Sequence, residues 1–141
     1  MGMRRMREAI LQTLYQHEFS KDEDISRLYD YSIEFIKLRS DLTQLGRKYV
    51  REILRFEKEI DTLINEFLLN WRLERLSIVD RNILRMGAYE LLYVDNIPVQ
   101  VTLNEMVEIA KRYGTENSGK FVNGILDRIA KSKCPRDKFL L

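Results

Sequence analysis

Apolar residues recur at steps of three and four along nearly the whole chain, and that spacing restricts it to amphipathic helices that bury one face each. The pattern is plain from the start. Met6, Ala9, Ile10, Thr13, Leu14 and His17 share one helical face, while Arg5, Glu8, Gln12 and Gln16 fall on the other. Ser20 and Glu23 have capping-box spacing ahead of Ile25, Leu28, Tyr29, Ile33 and Ile36, so a second helix is expected to run to about Ser40. Leu42 through Ile53 and Ile60 through Leu68 suggest two more, with a break near Phe56 where the period slips. Ser77 and Asp80 form another capping pair before Val79, Ile83, Met86 and Leu91. Thr102 and Glu105 do the same before Leu103, Met106 and Ile109, with Gly114 at the position of a left-handed C-terminal cap. Phe121, Val122, Ile125, Leu126 and Ile129 form the last stripe. The only strand-like alternation, Ile97 to Val101, contains Pro98 and has no partner, so it is expected to be an extended connector. The predicted class is all-α, with about six or seven helices.

Length and composition fit this class. A chain of 141 residues with 45% hydrophobic and 33% charged residues can form one globular domain, hiding roughly 70% of its unfolded surface. No apolar run reaches the length of a membrane span, and the amphipathic N-terminus does not resemble a secretory leader, so a cytoplasmic protein is expected. The single cysteine, Cys134, and the single histidine, His17, cannot build a Cys/His zinc cluster, and no cofactor is expected. His17 reads as a packed core residue rather than a general base.

Gly114, Gly119 and Lys120 spell most of a phosphate-binding P-loop, a motif that needs a hydroxyl after the lysine and a strand before the loop. Phe121 replaces the hydroxyl, Glu116 adds a negative charge, and the preceding segment is helical. Nucleotide hydrolysis is therefore excluded as a reading, and no nucleophile elbow or metal-binding helix motif replaces it. The strongest local signal is the cluster Arg4, Arg5 and Arg7, with Tyr15 farther along the same helix, because guanidinium groups contact phosphates and aromatic rings stack on unpaired bases. Asn117, Ser118 and Lys120 offer neutral donors and a charge near a helix start, where exposed amides favour anions. Trp71 is expected to plug the core. Asn123 and Gly124 interrupt an apolar helical run, so either a close helix crossing or a close partner backbone is expected there.

The chain resembles the NusB family in an ordered series of segments covering nearly its whole length. The first comprises Arg4, Arg5, Arg7, Glu8, Leu14, Tyr15, Gln16 and Glu18. Asn70, Trp71, Leu73, Glu74, Arg75, Leu76, Asp80, Arg81, Leu84, Arg85, Tyr89, Glu90 and Leu91 form the centre. Ile97, Pro98, Asn104, Glu105, Ala110, Lys111 and Gly114 lead to Phe121, Val122, Asn123, Gly124, Leu126 and Asp127. Gly119 before Lys120 is the one departure.

The resemblance implies two packed helical bundles and a non-enzymatic role in transcription antitermination. It implies binding to boxA RNA of ribosomal RNA leaders together with NusE, a protein of the small ribosomal subunit, and joining RNA polymerase with other Nus factors. RNA contact is assigned to Arg4, Arg5, Arg7, Tyr15, Arg85, Asn117, Ser118, Lys120 and Phe121, and partner contact to Glu74 and Asp80, whose charge would guide a basic ribosomal protein. A homodimer in the free state is compatible with the same pattern. The runner-up is the NusB-like module of ribosomal RNA methyltransferases, but nothing after Ile129 supplies a cofactor-binding segment. A reading of another class is a protein-binding helical adaptor whose arginines only aid solubility.

Overall fold

The computed structural model describes residues 2–141 and contains, among them, eight helices, a single 3₁₀ turn and no strand. They form two compact units, Met1–Glu57 and Lys58–Leu141, in keeping with the two bundles the resemblance implies.

In the first unit, α1 (Gly2–Phe19), α2 (Ile25–Ile33) and α3 (Ser40–Arg55) pack against one another. The periodic residues Met6, Ile10 and Leu14 of α1, Leu28 and Tyr29 of α2, and Tyr49, Val50 and Ile53 of α3 are buried together. Removing a large apolar side chain of this kind from water stabilises the fold by about 1.5–3 kcal/mol. Gly46 permits the tightest approach. A Cβ there would overlap the Tyr29 hydroxyl and lie 2.7 Å from Tyr29 Cζ and 3.1 Å from Met6 Cγ. The second helix is shorter than its apolar spacing suggests. Asp24, not Ser20, is its N-cap, accepting a 3.1 Å hydrogen bond from the Ser26 amide, and the helix stops at Ile33. Ile36 merely continues the period inside a connector. The break at Phe56 falls where expected.

In the second unit, α4 (Glu57–Phe67) is followed by the 3₁₀ turn Leu73–Arg75, then α5 (Ile78–Tyr93), α6 (Val99–Tyr113), α7 (Ser118–Lys133) and the short α8 (Arg136–Phe139). Helix α5 packs on both α6 and α7. Ser77 caps it as expected, accepting a 3.1 Å hydrogen bond from the Asp80 amide. Thr102 does not cap α6. The Pro98 carbonyl already accepts from the amides of Val101 and Thr102, so the helix starts four residues earlier than a Thr102 cap would set it, at Val99, and takes in most of the expected connector. Thr102 is instead buried, its hydroxyl donating to Glu90 Oε1 at 2.7 Å. The same Glu90 accepts at its carbonyl from buried Lys138 at 3.1 Å, which ties α8 to α5. Gly114 ends α6 with φ −99°, so it is not the left-handed cap its residue type suggested.

Two further expectations are overturned, together with one of the two alternatives for a third. Trp71 is 61% exposed, because the connector between α4 and the 3₁₀ turn places Leu73 inside instead. Leu73 is 1% exposed, and its amide donates to Asn65 Oδ1 at 2.8 Å. His17 is half-buried in the last turn of α1 rather than in the core. Gly124 is exposed, and nothing among the described residues lies within 4 Å of a Cβ placed there, so the close helix crossing is overturned and the close partner backbone is left.

Candidate nucleic-acid interface

Helix α1 divides its three arginines between surface and interior. Its buried stripe sets the rotation, leaving Arg4 and Arg5 exposed, whereas Arg7 falls on the inner side with 2% exposure. Arg7 is therefore removed from the expected contact surface in this conformation. Tyr15 is exposed two turns beyond, and its ring lies 5.5 Å from that of Phe19, with a tilt of 50° between them. Phe19 is 68% exposed and was not singled out from the sequence, because its place in the period does not distinguish it from a frayed helix end. The outward side of α1 thus presents guanidinium groups and two large rings, the chemistry needed for phosphates and unstacked bases.

The second expected cluster lies at the start of α7. Asn117 and Lys120 are exposed and Phe121 is half-buried. Ser118 is not available as a base-edge donor: it is 1% exposed, and its hydroxyl oxygen accepts the Thr115 amide at 2.9 Å. That contact closes the turn between α6 and α7. The P-loop spelling is dissolved by the same geometry, since Gly114 follows a helix and Gly119 lies buried inside α7 against Lys111. Asn117 makes no side-chain capping bond.

Arg85 is committed elsewhere. Its side chain is 13% exposed, and it grips Asp61 with two hydrogen bonds, Nε to Oδ1 at 2.8 Å and an Nη to Oδ2 at 3.0 Å. A third bond, at 3.0 Å, goes to Asn82 Oδ1. This fork joins α5 to α4 and leaves Arg85 unsuited to RNA contact.

Glu74 and Asp80, the expected partner contacts, lie in the 3₁₀ turn and the first turn of α5. Glu74 is exposed, and the Arg72 guanidinium donating to it at 2.9 Å holds its carboxyl below the usual carboxylate range. Asp80 is half-buried, with one carboxylate oxygen buried and lacking a hydrogen-bond partner among the described residues. Among the described residues no helix is long and apolar enough to cross a membrane.

The comparisons with known proteins agree with one another. The family model described as NusB family matches residues 4–131. The chain is 51% identical to the transcription antitermination protein NusB of Thermotoga maritima, over 98% of this chain and 96% of that protein. A solved structure of T. maritima NusB superimposes with a TM-score of 0.92, covering 98% of this chain and 96% of that one. A crystal structure of the antitermination factors NusB and NusE in complex with double-stranded RNA matches with a TM-score of 0.84 at 30% identity, covering 94% of this chain and 98% of the other.

Proposed function

This chain belongs to the NusB family, and from that premise we propose that it binds boxA RNA of ribosomal RNA leaders together with a NusE-type ribosomal protein. Membership in this family makes it a transcription factor rather than an enzyme. The observation that carries the proposal is the outward side of α1, where Arg4 and Arg5 supply charge and Tyr15 and Phe19 supply stacking surface. Unpaired RNA is the ligand suited to that combination, because its bases are free to stack while its phosphates meet the guanidinium groups. Asn117, Lys120 and Phe121 at the start of α7 offer a polar and cationic contact of their own in the second unit, where Ser118 closes the turn beside them. A solved relative that holds NusB and NusE in complex with double-stranded RNA supports the joint assembly. The pair would then enter the elongating RNA polymerase complex with other Nus factors.

The partner surface is assigned to Glu74 and the neighbouring Asp80. A protein that binds ribosomal RNA presents basic residues, and an exposed carboxylate guides such a partner by charge complementarity. Glu74→Lys should weaken association with the NusE-type protein and leave RNA binding by the isolated chain unchanged.

A gel-shift comparison of boxA-like RNA with a scrambled RNA of equal length, with and without the NusE-type protein, tests the function. A marked preference for boxA-like RNA, strengthened by the partner, is expected. Equal, weak binding to both RNAs alongside tight binding to the partner would instead make the chain a protein adaptor.

A further inference from the structure

We propose that the outward face of α3 is a second RNA-backbone site, resting on the RNA-binding reading above but using residues outside the α1 and α7 surfaces. A groove of about 320 Å³ runs along this helix, lined by Gln44, Arg47, Lys48, Arg51, Glu52 and Arg55. Four of these six are cationic and one is acidic. Arg47, Arg51 and Arg55 repeat every four residues, so they form a line along one side of the helix spanning roughly 12 Å. That length accommodates about three phosphates at stacked-strand spacing.

The arginines are held in place, which separates this groove from an ordinary solvated helix face. Arg47 pairs with Asp30 and lies 5.5 Å from the centre of the Tyr29 ring. Arg51 Nε donates to Ser26 Oγ at 2.8 Å. Arg55 lies 5.3 Å from the centre of the Phe56 ring. A guanidinium carries five N–H donors, so one occupied by the protein leaves others for a phosphate. Fixing the side chain beforehand lowers the ordering cost of binding.

The occupant is a linear polyanion rather than an acidic protein segment, because the lining contains no aromatic or aliphatic anchor of the kind that dominates protein interfaces. Positions 2 and 6 of α1 lie against Leu42 and against Gly46 of α3, so the two helices run side by side in the same direction. Arg51 and Arg55 lie about half a turn around α3 from Leu42 and Gly46, so the groove faces away from α1 and takes its own stretch of backbone.

The test is fluorescence anisotropy with a long oligouridylate over a range of salt concentrations. It uses the full chain, the triple variant Lys48→Gln, Arg51→Gln, Arg55→Gln, and the single variant Gln44→Lys. The log-log salt slope should shrink by about 2 in the triple variant and grow by about 0.7 in Gln44→Lys. The gain in the second variant cannot arise from misfolding. Unaltered slopes in both variants, with normal binding by the parent chain, would overturn the α3 site and leave the RNA-binding reading standing. Failure of the parent chain to bind oligouridylate would also overturn the α3 site, whereas the RNA-binding reading stands or falls on the boxA-like gel shift. Displacement of the RNA by a polyglutamate peptide only from proteins with an intact groove supports the site, whereas peptide binding there with RNA binding unaffected would reassign it to a protein partner.

Discussion

Helix α5 and the outward sides of α1 and α3 use arginine in opposite ways. On α5, Arg85 grips Asp61 and Asn82, while Arg81 donates to the carbonyls of Glu74 and Leu76, so both guanidinium groups hold the second unit together. On α1, Arg4 and Arg5 face solvent, and on α3 a line of arginines borders an open groove. Residue type is the same in each case, and burial decides the role. Glycine divides similarly: Gly46 is required by the close approach of Tyr29, whereas Gly124 meets nothing.

The largest expected effect sharpens the glycine half of this contrast. Gly46→Ala forces Tyr29 out of its seat. Overpacking of a tight core typically costs about 1–3 kcal/mol, and here the clash with a fully buried ring puts the loss at the upper end, read as a lower midpoint in urea unfolding. Arg85→Ala comes next. It strands Asp61 in a partly buried site, and because the pair retains some exposure the cost falls to about 2 kcal/mol, below the range for fully buried pairs. Its RNA affinity, measured well below its melting temperature, should match that of the parent.

A pH titration addresses the same seat. Burial pushes the Tyr29 phenol from 10 up to about 12, and its hydroxyl lacks a hydrogen-bond partner among the described residues. Because the folded value is the higher one, the stability this group contributes is complete below pH 10 and is lost as pH rises toward 12. Melting temperature should therefore fall more steeply over that interval in the parent than in Tyr29→Phe, and parallel curves would refute the assignment. The smallest effect has the opposite sign. Gly124→Ala should stabilise by about 0.5–1 kcal/mol, since the helix gains propensity without a clash. If the same variant weakens binding of the NusE-type protein, the second sequence expectation for this glycine, a close partner backbone, gains its support.

Much of the fold was legible because apolar period reports burial directly: the stripes of α1, α3, α5, α6 and α7 are the buried stripes of the structure. Helix ends were less so. The spacing of Ser20 and Glu23, or of Thr102 and Glu105, occurs without capping when Asp24 or the Pro98 carbonyl begins the helix at another residue. The candidate interface was legible only as residue types. Arg4, Arg5, Tyr15, Asn117 and Lys120 lie at the surface as expected, but Arg7 and Ser118 differ from them only by rotation about a helix axis. Arg85 needed knowledge of Asp61, which is 24 residues away. The α3 groove escaped notice because its cations alternate with the core residues Tyr49, Val50 and Ile53, and so read as the polar side of an ordinary amphipathic helix.

The central claim, that outward arginines bind RNA while inward ones hold the fold, is tested most directly by the salt dependence of boxA-like RNA binding. The parent, the double variant Arg4→Ala, Arg5→Ala, and Arg85→Ala are to be compared. Loss of two phosphate contacts should reduce the log-log slope by about 1.4 in the double variant, with melting temperature nearly unchanged. Arg85→Ala should show the reverse, a lower melting temperature and the parental slope. A parental slope in the double variant, or a reduced slope in Arg85→Ala, would contradict this division of roles.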